Sequence, residues 1–245
     1  MSKFYGRKSK KARTSHNIVL DLDETLISTC LTWKDLSKLK IFSDPRMLQV
    51  RGRLYNFEIE DVEDKKGSGN DLELAGIARP HYDKFISFCF EHFDKVIVWS
   101  AGTYSYVHKV VEFLFRDAVR KPDAILTRND CQMKFASDGT LDYTEKPLKL
   151  IAEKHAHLSN CMIHNTFILD NTETAFSGVN PLNGILIPNY ELKKSDVTME
   201  KLLAEDDLEL ALPLLQNWLM DSAVMNCKDI RTLPKNKIFG TFADQ

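Results

Sequence analysis

The chain has no cysteine pair at metal-binding spacing. Its five cysteines, Cys30, Cys89, Cys131, Cys161 and Cys227, are odd in number, scattered and never arranged as CxxC. That pattern argues against a thiolate zinc site or a disulfide framework and for a reducing compartment. Long apolar runs are also missing. No stretch approaches the roughly 18 to 20 residues that cross a bilayer, and the amino terminus lacks the apolar core of a secretory signal. Neither charge sign dominates: 33 Lys and Arg face 35 Asp and Glu, a net charge of -2, so no global attraction to nucleic acid or acidic lipid is expected. None of the seven histidines, His155, His157 and His164 included, stands at metal spacing from a cysteine or acid. No internal repeat is visible. These absences describe a soluble intracellular protein, nuclear or cytoplasmic, with no membrane partner. Its 245 residues suit one large domain, or a domain with an insert.

Charge is lopsided in one place. Residues 1–15, MSKFYGRKSKKARTS, carry Lys3, Arg7, Lys8, Lys10, Lys11 and Arg13 with no nearby acid. The plain reading is a solvated, disordered tail. The sharper one is a nuclear-import tag or an arm for nucleic acid or an acidic partner. Nucleic acid as a partner rests on this tail alone.

The hydrophobic residues form short runs. Ile18–Leu20, Val96–Trp99, Phe167–Leu169 and Ile185–Ile187, with Ala124–Thr127 as a weaker fifth, have the near-continuous apolarity of strands buried on both faces. Helical spacing separates them. Arg79-Pro80 opens a helix with proline in the tolerated first turn, followed by Tyr82, Phe85, Ile86, Cys89 and Phe93. A second pattern joins Tyr104, Val107, Val110, Val111 and Leu114, and a third starts near Pro147. The spacing predicts a fourth helix over 206–219 with Leu208, Ala211, Leu212, Leu215 and Leu219 on one face. Alternating strands and helices imply βαβ units in an α/β fold with an open parallel sheet flanked by helices. Residues 31–76 interrupt the rhythm. Leu54, Phe57 and Ile59 suggest a small strand or hairpin there, followed by a charged, glycine-bearing turn over 61–71. The expected organisation is therefore a basic tail (1–15), a domain over 16–232 with its insert at about 31–76, and a carboxyl-terminal tail (233–245).

Open α/β sheets bind ligands at the carboxyl ends of their strands. Those ends carry Asp21-Leu-Asp23-Glu24-Thr25, Ser100-Ala101-Gly102-Thr103 and Asp170-Asn171, while Lys146 sits just ahead of Pro147 at an expected helix start. Lys149 is the competing lysine. Clustered carboxylates resist joint ionisation unless a cation compensates them. Asp and Asn oxygens suit a hard ion such as Mg²⁺, which also binds phosphate. A lysine and a serine hydroxyl beside it would supply the charge and donors that a phosphoryl group needs. A carboxylate can serve as the nucleophile, and a second carboxyl as acid and then base.

DLDETL, the serine strand VWSAGT, the lysine and the LDN strand together resemble the haloacid dehalogenase (HAD) superfamily. Within it the chain is most similar to the branch of RNA polymerase II C-terminal-domain phosphatases and small nuclear-LIM-interactor-like phosphatases. ARPHYDKFISF, FILDNTETAF, NGILIPNY and DLELALPLLQNWL closed by KDIR agree with that branch, and the match runs from about Asn17 to Arg231. The resemblance implies a HAD-like (Rossmannoid) fold with a small β insert and no large cap. It implies Asp21 as nucleophile, Asp23 as the acid and then base, and Thr25 as the residue that steadies their loop. Ser100, with Ala101, Gly102 and Lys146, would hold the phosphoryl oxygens. Mg²⁺ would be held by Asp21, the backbone carbonyl of Asp23, and Asn171, with Asp170 adjacent. The implied activity is that of a protein serine/threonine phosphatase passing through an aspartyl-phosphate. Its substrate would be a phosphoserine or phosphothreonine peptide, with the polymerase tail among the candidates. Rivals are a phosphatase of small molecules or nucleic-acid ends, and a non-catalytic phosphoprotein-binding relative. Ser100 departs from the threonine usual in the small phosphatases but keeps the hydroxyl. Residues 31–76 follow no pattern of the family, so substrate identity is where the resemblance says least.

Overall fold

The computed structural model describes residues 13–31, 34, 36, 40–60, 71–193 and 197–240. Most of the basic tail, residues 61–70 of the expected turn and the last five residues lie outside them. The five apolar runs form one parallel sheet: β1 (Asn17–Leu20), β5 (Lys95–Trp99), β6 (Ala124–Leu126), β9 (Thr166–Asp170) and β10 (Gly184–Leu186), in the order β10-β9-β1-β5-β6. Alternation along β1 divides the core. Ile18 and Leu20 join Val96, Val98, Phe167 and Leu169 on one face, while Val19 joins Ile97, Trp99 and Ile168 on the other. The first face is covered by α2 (Tyr82–His92), α3 (Tyr104–Leu114) and α6 (Ala211–Leu219). The second is covered by α4 (Lys149–Lys154) together with Leu158 and Phe176. Each such apolar side chain removed from water contributes about 2 kcal/mol. Strands are added on one side of β1 as far as β6 and then on the other as β9 and β10, so the order reverses at β1. That switch point leaves a crevice at its carboxyl end.

The interruption after β1 is a second sheet. β2 (Ile27–Leu31), β4 (Asp71–Ala78) and β3 (Leu54–Glu60) pair antiparallel in the order β2-β4-β3. Tyr55 on β3 stacks on Phe57 and packs on Phe113 of α3, which docks the insert against the main core. The short helix α1 (Leu48–Arg53) and α5 (Met199–Leu208) pack on its other side through Met47, Val50, Ala75, Ile77 and Leu202. A separate hairpin, β7 (Gln132–Phe135) and β8 (Leu141–Glu145), leads into Lys146.

Two helix expectations need correction. The expected helix over 206–219 is broken at Glu209-Leu210 into α5 and α6, and Leu208 is exposed rather than on the buried face. Pro213 is the reason: in a continuous helix it would lack an N–H for the carbonyl of Glu209 and its ring would clash there, whereas in the first turn of α6 it is tolerated. Pro80 does not open α2. His81 adopts a left-handed conformation (φ 65°), and the helix begins at Tyr82.

Candidate active site

β1 carries Asp21 beyond the last paired residue, where its N–H still donates to Leu169 O of β9 (3.0 Å). The chain then folds tightly on Leu22, whose side chain is fully buried and whose carbonyl accepts from Thr25, Leu26 and Ile27 N–H (3.2, 2.8 and 3.1 Å). Closing that turn places Glu24 at φ 55°, a conformation costing a non-glycine residue on the order of 1 kcal/mol. The turn is stapled to the loop after β9: Thr25 Oγ1 donates to Asn171 Oδ1 (3.2 Å) and accepts from Asn171 N–H (3.1 Å). Asn171 Nδ2 reaches Glu24 Oε2 (3.2 Å) and Asn189 Oδ1 (2.7 Å). Below it the fully buried Arg79 donates to Thr25 O (3.0 Å) and Pro188 O (2.8 Å) and pairs with Glu209 (3.1 Å).

Lys146 lies between two carboxylates, its ammonium 2.6 Å from Asp21 Oδ1 and 2.6 Å from Asp170 Oδ2. All three side chains are buried. The lysine's backbone is clamped as well: its N–H donates to Ala175 O (2.7 Å) and its carbonyl accepts from Asn180 Nδ2 (2.8 Å). Asn180 Oδ1 receives Leu148 N–H (3.1 Å). Burial alone would lower the ammonium's pKa, but Asp21 and then Asp170 outweigh it and hold it above its ordinary value. Burial also drives Asp21 well above the usual carboxylate range, against the pull of Lys146 and with added repulsion from Asp170 and Asp23. Lys149, the competing lysine, is exposed on α4.

Asp23, two residues on, meets no cation at hydrogen-bond distance among the described residues. Tyr106 of α3 donates a short hydrogen bond to its Oδ1, and Ser100 Oγ donates to its Oδ2 (3.3 Å). Thr29 Oγ1 lies 3.5 Å from Oδ1. Burial raises the Asp23 carboxyl above its ordinary value, opposed by the Tyr106 and Ser100 hydroxyls. Ser100, at the end of β5, also receives Gly102 N–H (3.0 Å). Gly102 lies over the Tyr106 ring, where a Cβ would come within 2.6 Å of Cδ1. Thr103 caps α3 without a side-chain hydrogen bond, leaving the first amides of that helix available to an anion. Arg128 steadies the loop by donating from Nε to Ala101 O (2.8 Å) and from its N–H to Gly102 O (2.9 Å).

The crevice thus brings Asp21, Lys146 and Asp170 into one ion cluster, joins Asp23 to Ser100, and ties Thr25 to Asn171. Ala101 and Gly102 frame it without a side-chain role. Sequence reasoning passed over Tyr106, Thr29, Tyr55, Asn180 and Arg128. The helix pattern took Tyr104 where the structure buries Tyr106 and leaves Tyr104 exposed, and the others come from segments with no readable motif. The four described cysteines, Cys89, Cys131, Cys161 and Cys227, are free. Among the described residues no helix is long and apolar enough to cross a membrane.

A parallel sheet with its acids at the central switch point is the architecture of HAD-like phosphatases. The fold matches fission yeast RNA polymerase II CTD phosphatase Fcp1 bound to beryllium fluoride with a TM-score of 0.57 at 13% identity, covering 89% of this chain and 69% of that one. A second Fcp1 structure, described as an essential RNA polymerase II CTD phosphatase, matches at 0.52 and 16% identity over 91% of this chain, which spans only 60% of it. No curated protein matches. The family itself is settled by residues 16–211, which match the NLI interacting factor-like phosphatase family. The chain belongs to that family.

Proposed function

We propose that the chain is a Mg²⁺-dependent protein serine/threonine phosphatase that forms a phosphoaspartate on Asp21. The observation that carries this reading is the cluster at the switch point. A buried carboxylate is pinned through Oδ1 by a buried lysine that a second acid also holds, with a second carboxyl and a serine hydroxyl alongside. Lys146 fixes Asp21, so attack on phosphorus falls to Oδ2. As the Asp21 oxygen–phosphorus bond forms, the bond to the seryl oxygen breaks and Asp23 gives that oxygen its proton. Asp23 then takes a proton from water, whose oxygen attacks the phosphoaspartate, releasing phosphate and restoring Asp21. Lys146, the Ser100 hydroxyl and the amides of Ala101 and Thr103 hold the phosphoryl oxygens through both steps.

The residues present fit a divalent ion. Two buried carboxylates, Asp21 and Asp170, share a single ammonium, and the half-buried Asp23 has no cation at hydrogen-bond distance among the described residues, which leaves surplus negative charge among hard oxygen donors. Among the described residues no three His, Cys, Asp or Glu side chains form a group that could hold a metal ion by themselves, so an ion here would also need backbone, amide and water oxygens. Asp21, the Asp23 carbonyl, Asp170 and Asn171 would hold it. When bound, Mg²⁺ would neutralise charge on the phosphoryl group.

A phosphorylated polypeptide fits this crevice better than a small metabolite. Among the described residues the insert is a sheet docked on α3 through Tyr55 and Phe57, a side wall of the crevice. The 870 Å³ cavity lined by Arg53, Tyr82, Phe88 and Arg116 includes none of the crevice residues. The test is turnover of an aryl phosphate and a phosphoserine peptide with and without Mg²⁺. Metal-dependent hydrolysis is expected, with a loss of at least about 10³-fold in Asp21→Asn. Phosphopeptide binding without turnover would instead indicate a receptor-like relative. Faster hydrolysis of nucleotides or phosphorylated DNA ends would move the substrate class.

A further inference from the structure

Three hydroxyls connect the insert sheet to the Asp23 carboxyl. Tyr106 donates to Asp23 Oδ1. Thr29 Oγ1 of β2 lies 2.8 Å from the Tyr106 hydroxyl and 2.7 Å from that of Tyr55 on β3. The Tyr55 hydroxyl also lies 3.4 Å from Ser28 O. Each hydroxyl has one proton to give. Tyr106 spends its proton on the carboxylate and so accepts from Thr29, whose contact with Tyr106 (2.8 Å) is much shorter than its direct one to Asp23 Oδ1 (3.5 Å). Thr29, having given its own, accepts from Tyr55, whose hydroxyl lies nearer to it (2.7 Å) than to Ser28 O (3.4 Å). The chain therefore points one way, from the insert toward Asp23.

The surroundings hold it there. The Tyr55 ring is fixed by Phe57 and Phe113, with centroids 5.2 and 5.1 Å away. Its hydroxyl passes over Gly76, where a Cβ would stand 2.3 Å from the tyrosine oxygen. The Tyr106 ring lies under Gly102 in the same manner. Both tyrosines are buried. With Oδ1 pinned by the relay, the carboxyl can present only Oδ2 to the crevice. Oδ2 is the oxygen beside Ser100 Oγ (3.3 Å), hence on the side where the phosphoryl group would lie.

Resting on the phosphatase reading above, we infer that Tyr106, Thr29 and Tyr55 are positioning residues for proton transfer, a relay by which the insert sheet orients Asp23 so that its Oδ2 proton reaches the leaving oxygen. As that proton moves, the leaving oxygen becomes the seryl hydroxyl, and Asp23 is left as a carboxylate already held by the relay. The insert is then part of the catalytic apparatus as well as a wall of the crevice.

The relay matters in proportion to how much the leaving group needs a proton. A seryl oxygen departs poorly as an alkoxide, whereas a nitrophenolate departs with little help. In Tyr106→Phe and Thr29→Val, kcat on a phosphoserine peptide should fall about 30-fold or more, and on p-nitrophenyl phosphate about 3-fold, within the range that general acid catalysis supplies. KM should stay near that of the wild type. Thr29→Ser, which keeps the hydroxyl, should restore the peptide rate, and Tyr55→Phe should show the same skew at smaller size. Equal losses on both substrates in an active protein overturn the relay and leave the phosphatase reading intact. Wild-type protein inert toward both substrates overturns the phosphatase reading, and the relay with it.

Discussion

At the carboxyl ends of β1 and β9 the sheet buries Asp21, Asp170 and Lys146, which carry charge. At the amino ends of the same strands it buries Asn17, Thr166 and, nearby, His92, which carry none at neutral pH. Asn17 Nδ2 donates among three oxygens there, those of Asn160 O, Asn165 Oδ1 and Thr166 Oγ1, at 3.2 to 3.3 Å. Neutral hydrogen bonds hold Asn17 Nδ2 at modest desolvation cost, while Asn17 Oδ1 and both His92 ring nitrogens are buried with no partner among the described residues. Buried charges are a poor route to stability, because desolvation offsets most of their attraction. Their concentration at the open end therefore marks chemistry.

Lys146→Ala tests the charged end most severely. It leaves Asp21 and Asp170 facing each other without their shared cation. Without divalent ions the protein should lose about 3 kcal/mol of stability at pH 8, and less at pH 5, below the raised pKa of Asp21, where that carboxyl regains its proton. Turnover should fall on the order of 10³-fold. Urea unfolding at the two pH values and phosphate release check the pair of outcomes. Unchanged stability would show that the cluster is solvated and not buried. Asn17→Asp is the reciprocal test, since it places a carboxylate where only a donor fits, opposite three oxygens. A loss of about 3 kcal/mol is expected at pH 8, recovering at low pH as the acid regains a proton to donate. A tolerated charge at that end would break the comparison.

The same contrast explains what could be read in advance. All five strands of the main sheet were legible, because strands buried on both faces must be apolar throughout. Asp21, Ser100 and Asp170 were legible as the polar residues that end those runs. The insert was only half legible: Leu54, Phe57 and Ile59 marked β3, but β2 and β4 pair at long range and show no period of their own. The β7–β8 hairpin was missed although Asp138-Gly139, with Gly139 at φ 84°, carries a hairpin signal. Its Met133, Phe135 and Leu141 are exposed, so no inward-facing pattern betrays it. Pro213, the residue that breaks the last helix, was in plain view and outweighed by leucine spacing. Tyr106 was beyond reach for another reason: the spacing put Tyr104 on the buried face, where the structure has Tyr106, and no period says where a tyrosine hydroxyl ends.

His92 gives the smallest effect and the sharpest reading of the uncharged end. Its ring is buried against Phe88 and Phe93, with centroids 4.8 Å from each, and neither ring nitrogen has a hydrogen-bond partner among the described residues. Burial, with added repulsion from His16 and Arg13, lowers its pKa to about 4, from 6.5. The unfolded chain therefore binds the proton more readily than the folded one. The contribution of this group to stability is present above about pH 6.5 and is lost as pH falls toward 4, at up to about 1.4 kcal/mol per pH unit. His92→Phe keeps the aromatic packing and removes the titration. Between pH 7 and pH 4.5 the variant should gain about 2 kcal/mol on the wild type in urea unfolding. Parallel stability curves for the two proteins would mean that a proton reaches His92 in the folded state, and that the amino end of the sheet holds charge as readily as the carboxyl end.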